Sequence, residues 1–292
     1  NMNETLHNDM LHDLGDKIAS NIENIRLICI AGPSSSGKTT FSNRLRIELM
    51  SRGITPLRIS LDMYYKNRED IPLDENGDKD FEHIDALDVD LFNQHILALI
   101  NGEEVTLPIY QFGDGRAEQG IPTRIDENTP IIIEGIHALN DELSYAIPKH
   151  QKFKIYIAPQ FQINIDLQNP VSYTDIRLIR RIVRDKKYRG ASAERTLEMW
   201  PSVRRGEFRW IYPYQEGCNY VYNSALTYEM CVMKKYALPA LQEVKSDSPS
   251  FIVANRLIKF LKYFKDMDDK WVPCNSLLRE FIGGSCFAEV DE

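Results

Sequence analysis

An open, mostly parallel α/β sheet with helices on both faces is the fold the sequence predicts, and three observations carry it. Short apolar runs of β-type residues alternate with longer stretches of helical apolar spacing, the pattern of strand–helix–strand units. One run, Pro130-Ile131-Ile132-Ile133, is apolar at every position, as strands covered on both faces are. The first run, ending Ile28-Cys29-Ile30-Ala31, breaks into a glycine- and serine-rich turn that opens a helix. Sheets of this kind place their ligand crevice beyond the carboxyl ends of the strands.

In chain order, Leu6, Met10, Leu11, Leu14 and Ile18 form a stripe at helical spacing, so residues 3–22 read as a docking helix. Arg26 to Ile30 is the first strand. Phe41, Leu45 and Leu49 recur every four residues and give a helix from Lys38 to about Arg52, closed by Gly53. Thr55 to Leu61 is the second strand and delivers Asp62 at its carboxyl end. Lys66 to Asp80 is a charged loop punctuated by Pro72 and Gly77. Ala86 to Ile100 is an amphipathic helix, Val105 to Phe112 a short strand, and Gly113-Asp114-Gly115 a turn. The apolar strand at residues 130–133 ends abruptly in Glu134-Gly135. Phe153 to Ala158 is a strand, Asp175 to Tyr188 a basic helix, Tyr220 to Tyr222 a last strand and Leu226 to Val244 a helix. A linker at 245–250 leads to a further amphipathic helix, Ile252 to Phe264. The expected division is an N-terminal helix (1–22), a catalytic α/β domain (23–244) and a C-terminal helical extension (245–292) packed on it.

The 292 residues are 43% hydrophobic and 27% charged, a globular composition with a sizeable core. A net charge of −8 and a pI near 5.4 argue against a broad basic face for duplex nucleic acid. Five scattered cysteines without a CxxC pair suggest neither a disulfide framework nor a zinc site, and fit a reducing cytoplasm. No apolar run approaches the roughly 20 residues that cross a bilayer, so no membrane partner is expected. The polar, acidic N-terminus does not read as a signal peptide. Asn1 ahead of Met2 has the look of an expression-tag remnant and is left out of the reading; the chain is expected to be part of a longer protein.

The turn Gly32-Pro33-Ser34-Ser35-Ser36-Gly37-Lys38-Thr39-Thr40 has the spacing of a P-loop. Its small residues let backbone N–H groups wrap a phosphate, Lys38 meets the terminal phosphates, and the Thr39 hydroxyl faces Mg²⁺. A helix starting at Lys38 adds its positive end. Transfer of a γ-phosphate to a hydroxyl further needs a base, a metal to bridge phosphates and cations for the spreading charge. Asp62 is the candidate base, at the end of a strand expected to lie beside the P-loop strand, and a candidate oxygen ligand of the metal. Glu134 is the second acid, holding Mg²⁺ with Thr39. Arg177, Arg181 and Arg184 share a helix face, and arginines that close over phosphates stabilise the transition state.

These residues resemble the phosphoribulokinase/uridine kinase family. The P-loop is followed in the family's order by Ser60-Leu61-Asp62-Met63-Tyr64-Tyr65, Asp80-Phe81-Glu82-His83-Ile84-Asp85-Ala86-Leu87-Asp88, Pro108-Ile109-Tyr110, Ile133-Glu134-Gly135-Ile136 and Asp175-Ile176-Arg177-Leu178-Ile179-Arg180-Arg181. The resemblance spans about residues 25 to 225 and implies an ATP-dependent kinase of a ribose-type hydroxyl, with Asp62 as base and Glu134 near the metal. It also implies an acceptor pocket lined by Tyr65, Phe81, Glu82, His83, Tyr110 and Arg177, and a lid carrying Arg181, Arg184 and Arg189. A homo-oligomer follows by analogy alone. Glu82 stands where the family usually has Asp, and Tyr110-Gln111-Phe112-Gly113-Asp114-Gly115-Arg116 holds no histidine where uridine kinases read the pyrimidine edge. The tail from Trp271 to Ser285 resembles the ending of longer bacterial members that carry a TGS-type domain, with Ser276 placed to cap a short helix and Gly283-Gly284 to end it.

Three functions remain open at this point: a nucleoside kinase producing a 5′-monophosphate, a kinase of another sugar or sugar phosphate, and a nucleotide-binding regulatory module. The missing histidine supports the second. For an anionic sugar-phosphate acceptor, Arg116 and Arg124 are the cations available beyond the lid. A guanine-reading Asn-Lys-x-Asp motif is absent, which argues against a regulatory GTPase.

Overall fold

The computed structural model describes residues 1–75, 77–111, 114–126 and 128–287. Its main sheet has five strands, all parallel, in the order β2 (Leu57–Ser60), β5 (Ile131–Glu134), β1 (Leu27–Ala31), β6 (Lys152–Ala158), β7 (Tyr220–Asn223). Register aligns Ile30 with Glu134 and Glu134 with Ser60, so three strands stop at one level. Strand alternation sends the side chains of each strand to two different cores. Ile28, Ile30, Ile132, Ile155 and Ile157 pack against α1 (Met2–Ala19) and α2 (Lys38–Met50). Leu27, Cys29, Ile131, Ile133 and Tyr156 pack against α3 (Val89–Ile100) and the turns after β5. A third core joins α4 (Tyr173–Tyr188), α5 (Ala193–Trp210), α6 (Glu229–Gln242) and α7 (Phe251–Leu261) with Leu278, Phe281 and Ile282 of the C-terminal segment.

Two elements were not expected. β3 (Val105–Gln111) pairs antiparallel with β4 (Arg116–Thr123) in a separate two-stranded sheet. β4 is mostly exposed and polar, so it lacks the alternation that announces a strand. Helix α5 starts behind a Ser192 side chain that accepts from Arg195 N, and its interior Pro201 masks the helical pattern. The expected strand end at Phe112 and turn residue Gly113 lie outside the described residues. The tail does form a short helix, α8 (Arg279–Ile282): Leu278 N donates to Ser276 Oγ at 3.2 Å and Gly283 follows at φ 86°. No helix of the described residues is long and apolar enough to cross a membrane.

His7 and His137 are each 1% exposed, and burial pushes both imidazoles down to about 4. They stay neutral in the folded chain but bind protons near pH 6.5 once unfolded. Their contribution is therefore complete above pH 6.5 and is lost as pH falls toward 4, up to about 3 kcal/mol for each. The urea midpoint is expected to drop over that window, and His7→Gln to flatten the slope; a pH-independent midpoint would refute this.

Candidate active site

β1 ends at Ala31 and the chain turns at once. A Cβ on Gly32 would overlap the Ile157 carbonyl of β6, and Gly37 enters α2 at φ 91°, in the left-handed region. These two positions demand glycine, and they draw the loop tightly over the end of the sheet. Lys38 Nζ donates back to the carbonyls of Gly32 at 2.9 Å and Pro33 at 3.3 Å. The buried hydroxyls of Ser35, Ser36 and Thr40 have no partner among the described residues. Backbone drawn this close, a lysine and unspent hydroxyls suit a phosphate.

Helix α4 supports the loop from below. Arg177 Nε donates to the Ser34 carbonyl at 2.9 Å, Arg180 Nη1 to the Ser35 carbonyl at 3.2 Å, and Arg181 Nη1 to the Ser34 hydroxyl at 2.7 Å. Arg177 and Arg180 are completely buried, paired with Glu207 of α5 and Glu229 of α6. Arg177 therefore does not line an open pocket as the resemblance implied. With its guanidinium committed to Glu207 and the Ser34 carbonyl, it holds the P-loop in shape.

The expected lid arginines are likewise part of a packed helix, since Ile176, Ile179 and Ile182 of α4 are core. Arg184 donates to Asp185 Oδ1 at 3.0 and 2.8 Å; Arg181 lies 3.2 Å and Arg189 3.8 Å from the same carboxylate. Burial pushes the Asp185 carboxyl up, but Arg184, Arg181 and Arg189 outweigh it and hold it low. Crowding by the Arg184 charge brings Arg189, half exposed, down to about 10. Asp185 thus gathers the three arginines beside the loop.

Glu134 reaches the site from β5. Its Oε1 is 3.5 Å from Thr39 Oγ1 and 3.7 Å from Arg58, and burial, then the charge of Asp62, lifts its carboxyl to about 7 against the pull of Arg58 and Lys38. Asp62 sits exposed on a 3₁₀ turn, Leu61–Tyr64, and its own N–H donates to the capping Ser60 Oγ at 3.3 Å. Its strand, β2, is not the neighbour of β1; β5 lies between them. Asp62 nevertheless lies near the cleft, and its charge is felt at Lys38, Tyr65, Glu82, Glu134 and Arg189.

The aromatic side of the cleft comes from the segment after β2. Tyr65 donates its hydroxyl to the Phe81 carbonyl at 3.1 Å, with its ring 6.0 Å from Phe81 and 5.6 Å from Tyr110. His83 accepts from Asp85 N at 3.1 Å and lies 4.7 Å from the Trp210 ring. Glu82 packs so closely on Gly206 of α5 that a Cβ there would overlap it. Burial raises its carboxyl, opposed by Arg181 and Lys38. Tyr65, Phe81 and Tyr110 thus form one aromatic neighbourhood, Glu82 feels the charges of Asp62 and Arg181, and His83 packs instead on Trp210.

Sequence reasoning missed Arg58, Asp185, Glu207, Glu229 and Glu280. Arg58 could have been found, since the residue two before a strand-end hydroxyl faces the same side as that end. Asp185 could have been found too, four residues from both Arg181 and Arg189, whereas Glu207, Glu229 and Glu280 carry no local signal.

A family model described as Phosphoribulokinase / Uridine kinase family matches residues 27–225. A uridine kinase from Bacillus pumilus is 33% identical over 180 residues, covering 61% of this chain and 76% of that protein. One from Anoxybacillus flavithermus is 32% identical over 180 residues, with the same coverage of both chains. A solved structure described as a candidate fructose transport system kinase from Silicibacter superposes with a TM-score of 0.50 at 16% identity, over 73% of this chain and 98% of that one, a likeness of fold alone.

Proposed function

Because the chain belongs to the phosphoribulokinase/uridine kinase family and is a phosphotransferase acting on a hydroxyl group, we propose that it carries the γ-phosphate of ATP to the 5′-hydroxyl of a ribonucleoside, uridine or cytidine by likeness to its relatives. The observation that supports this most is the meeting of Lys38, Asp62 and Glu134 at the carboxyl ends of β1, β2 and β5, with the Tyr65, Phe81 and Tyr110 rings alongside. In this reading residues 23–244 carry the chemistry, and residues 1–22 and 245–292 brace it.

Asp62 accepts the proton of the acceptor hydroxyl as its oxygen bonds the γ-phosphorus, and the bond to the β-phosphate oxygen breaks to release ADP. Lys38 swings from the Gly32 and Pro33 carbonyls to the phosphates. Arg181 and Arg184 hold the charge that spreads over the transferring group. Glu82 accepts from the sugar hydroxyls, and the aromatic rings offer stacking faces to a base.

The donor set fits Mg²⁺: Thr39 Oγ1 and Glu134 Oε1 are hard oxygens close together. No described group of three or more His, Cys, Asp or Glu would hold a metal by itself, so a cation here completes its shell from phosphate oxygens and water. When bound, Mg²⁺ neutralises phosphate charge. Burial holds the Glu134 carboxyl up at about 7, so a cation bound there draws off its proton.

A second reading, phosphorylation of another sugar, draws on the absence of histidine between Tyr110 and Arg116. ADP release with Mg-ATP across ribonucleosides, deoxynucleosides and sugar phosphates separates the two. Turnover on uridine or cytidine is the expected result. Silence on every nucleoside, with turnover on a sugar or sugar phosphate, would overturn the nucleoside assignment.

A further inference from the structure

The C-terminal segment reaches the P-loop from about 240 positions away in the chain. Glu280 Oε2 accepts from the backbone N–H of Thr40 at 2.9 Å, and both residues are buried. Thr40 N–H belongs to the first turn of α2, where unpaired N–H groups and the helix dipole hold an anion. A Cβ on Gly37 would meet Leu277 at 3.5 Å, so the same segment also packs against the loop where it enters α2. The Glu280 charge is felt by Lys38 and Glu134 on the other side of the loop. The segment is anchored nearby: Lys187 Nζ donates to the Ile282 carbonyl at 2.5 Å, and Ser276 Oγ to Glu4 at 2.6 Å.

We propose that Glu280 gates the nucleotide site, its carboxylate standing in for a nucleotide phosphate on the Thr40 N–H and leaving it when a nucleotide binds. This rests on reading the P-loop as the nucleotide site. Two anions cannot share one N–H in a buried setting without strong repulsion, so nucleotide and Glu280 compete. Apparent affinity is then lowered by the fraction of molecules in which Glu280 is docked.

The test is titration of the full chain with a fluorescent ADP analogue, in the wild type, Glu280→Gln, Glu280→Ala and Lys38→Ala, with a thermal melt of each. Glu280→Gln keeps an acceptor for Thr40 N–H but drops the charge; it and Glu280→Ala are expected to bind about tenfold or more tightly than wild type. Hydrogen exchange of residues 272–287 is expected to rise on saturation with ADP. Unchanged or weaker binding by Glu280→Gln at an unchanged melting temperature, or exchange that falls on saturation, would make Glu280 a structural cap and overturn the gate. Lys38→Ala controls the premise: if it binds like wild type, the P-loop reading itself fails, whereas loss of binding in Lys38→Ala with no gain in Glu280→Gln sinks the gate alone.

Discussion

Asp62→Asn is expected to leave nucleotide affinity within about twofold and to lower turnover by a factor of about 10² to 10⁴, the usual weight of a positioned general base. Asparagine keeps the size and the 3₁₀ turn, because the cap is made by Ser60 Oγ to the backbone of residue 62 and not by its side chain. What it removes is a carboxylate whose charge is felt at Tyr65 and Glu82. Steady-state rates and ADP-analogue binding on the same preparation check it. Turnover within a few-fold of wild type would take Asp62 out of the base role and leave Glu82, whose burial keeps its carboxyl raised, as the next candidate.

Glu229→Gln is expected to cost about 3–5 kcal/mol of stability, which lowers the melting temperature by about 10 °C. Glu229 and Arg180 are both fully buried, bonded at 2.5 and 3.1 Å. Removing one charge strands the other, and an unpaired buried guanidinium is far costlier than the pair is beneficial. Arg180 also donates to the Ser35 carbonyl and to Ser224, so its loss of anchorage reaches the P-loop. Nucleotide affinity is expected to fall with stability. Replacing both partners by apolar residues, Arg180→Met with Glu229→Leu, recovers most of the melting temperature but not the P-loop contact. A Glu229→Gln protein that melts within 2 °C of wild type would show that the pair contributes little.

The candidate site was legible where its chemistry is local. Gly32 and Gly37 are spaced for a turn whose backbone must come close to a ligand, and Asp62 and Glu134 each follow a strand-like run directly. Arg177 was legible as a basic helix residue but misplaced. Its helix face could be read from the sequence, whereas its partner Glu207 lies in α5, a helix that Pro201 hid. Asp62 was placed one strand too near the P-loop, because strand order in a parallel sheet depends on which crossover goes where and leaves no trace in a strand's own residues.

From the sequence alone came the alternation of strands and helices, the phosphate turn and the two strand-end carboxylates. Periodicity and turn chemistry act over a few residues and are written where they act. The tertiary structure alone decided that β5 divides β1 from β2, that Arg177 and Arg180 pair with Glu207 and Glu229, and that Glu280 lies on Thr40. Those outcomes depend on burial, which brings together charges tens to hundreds of residues apart and requires each to find a partner once water is excluded.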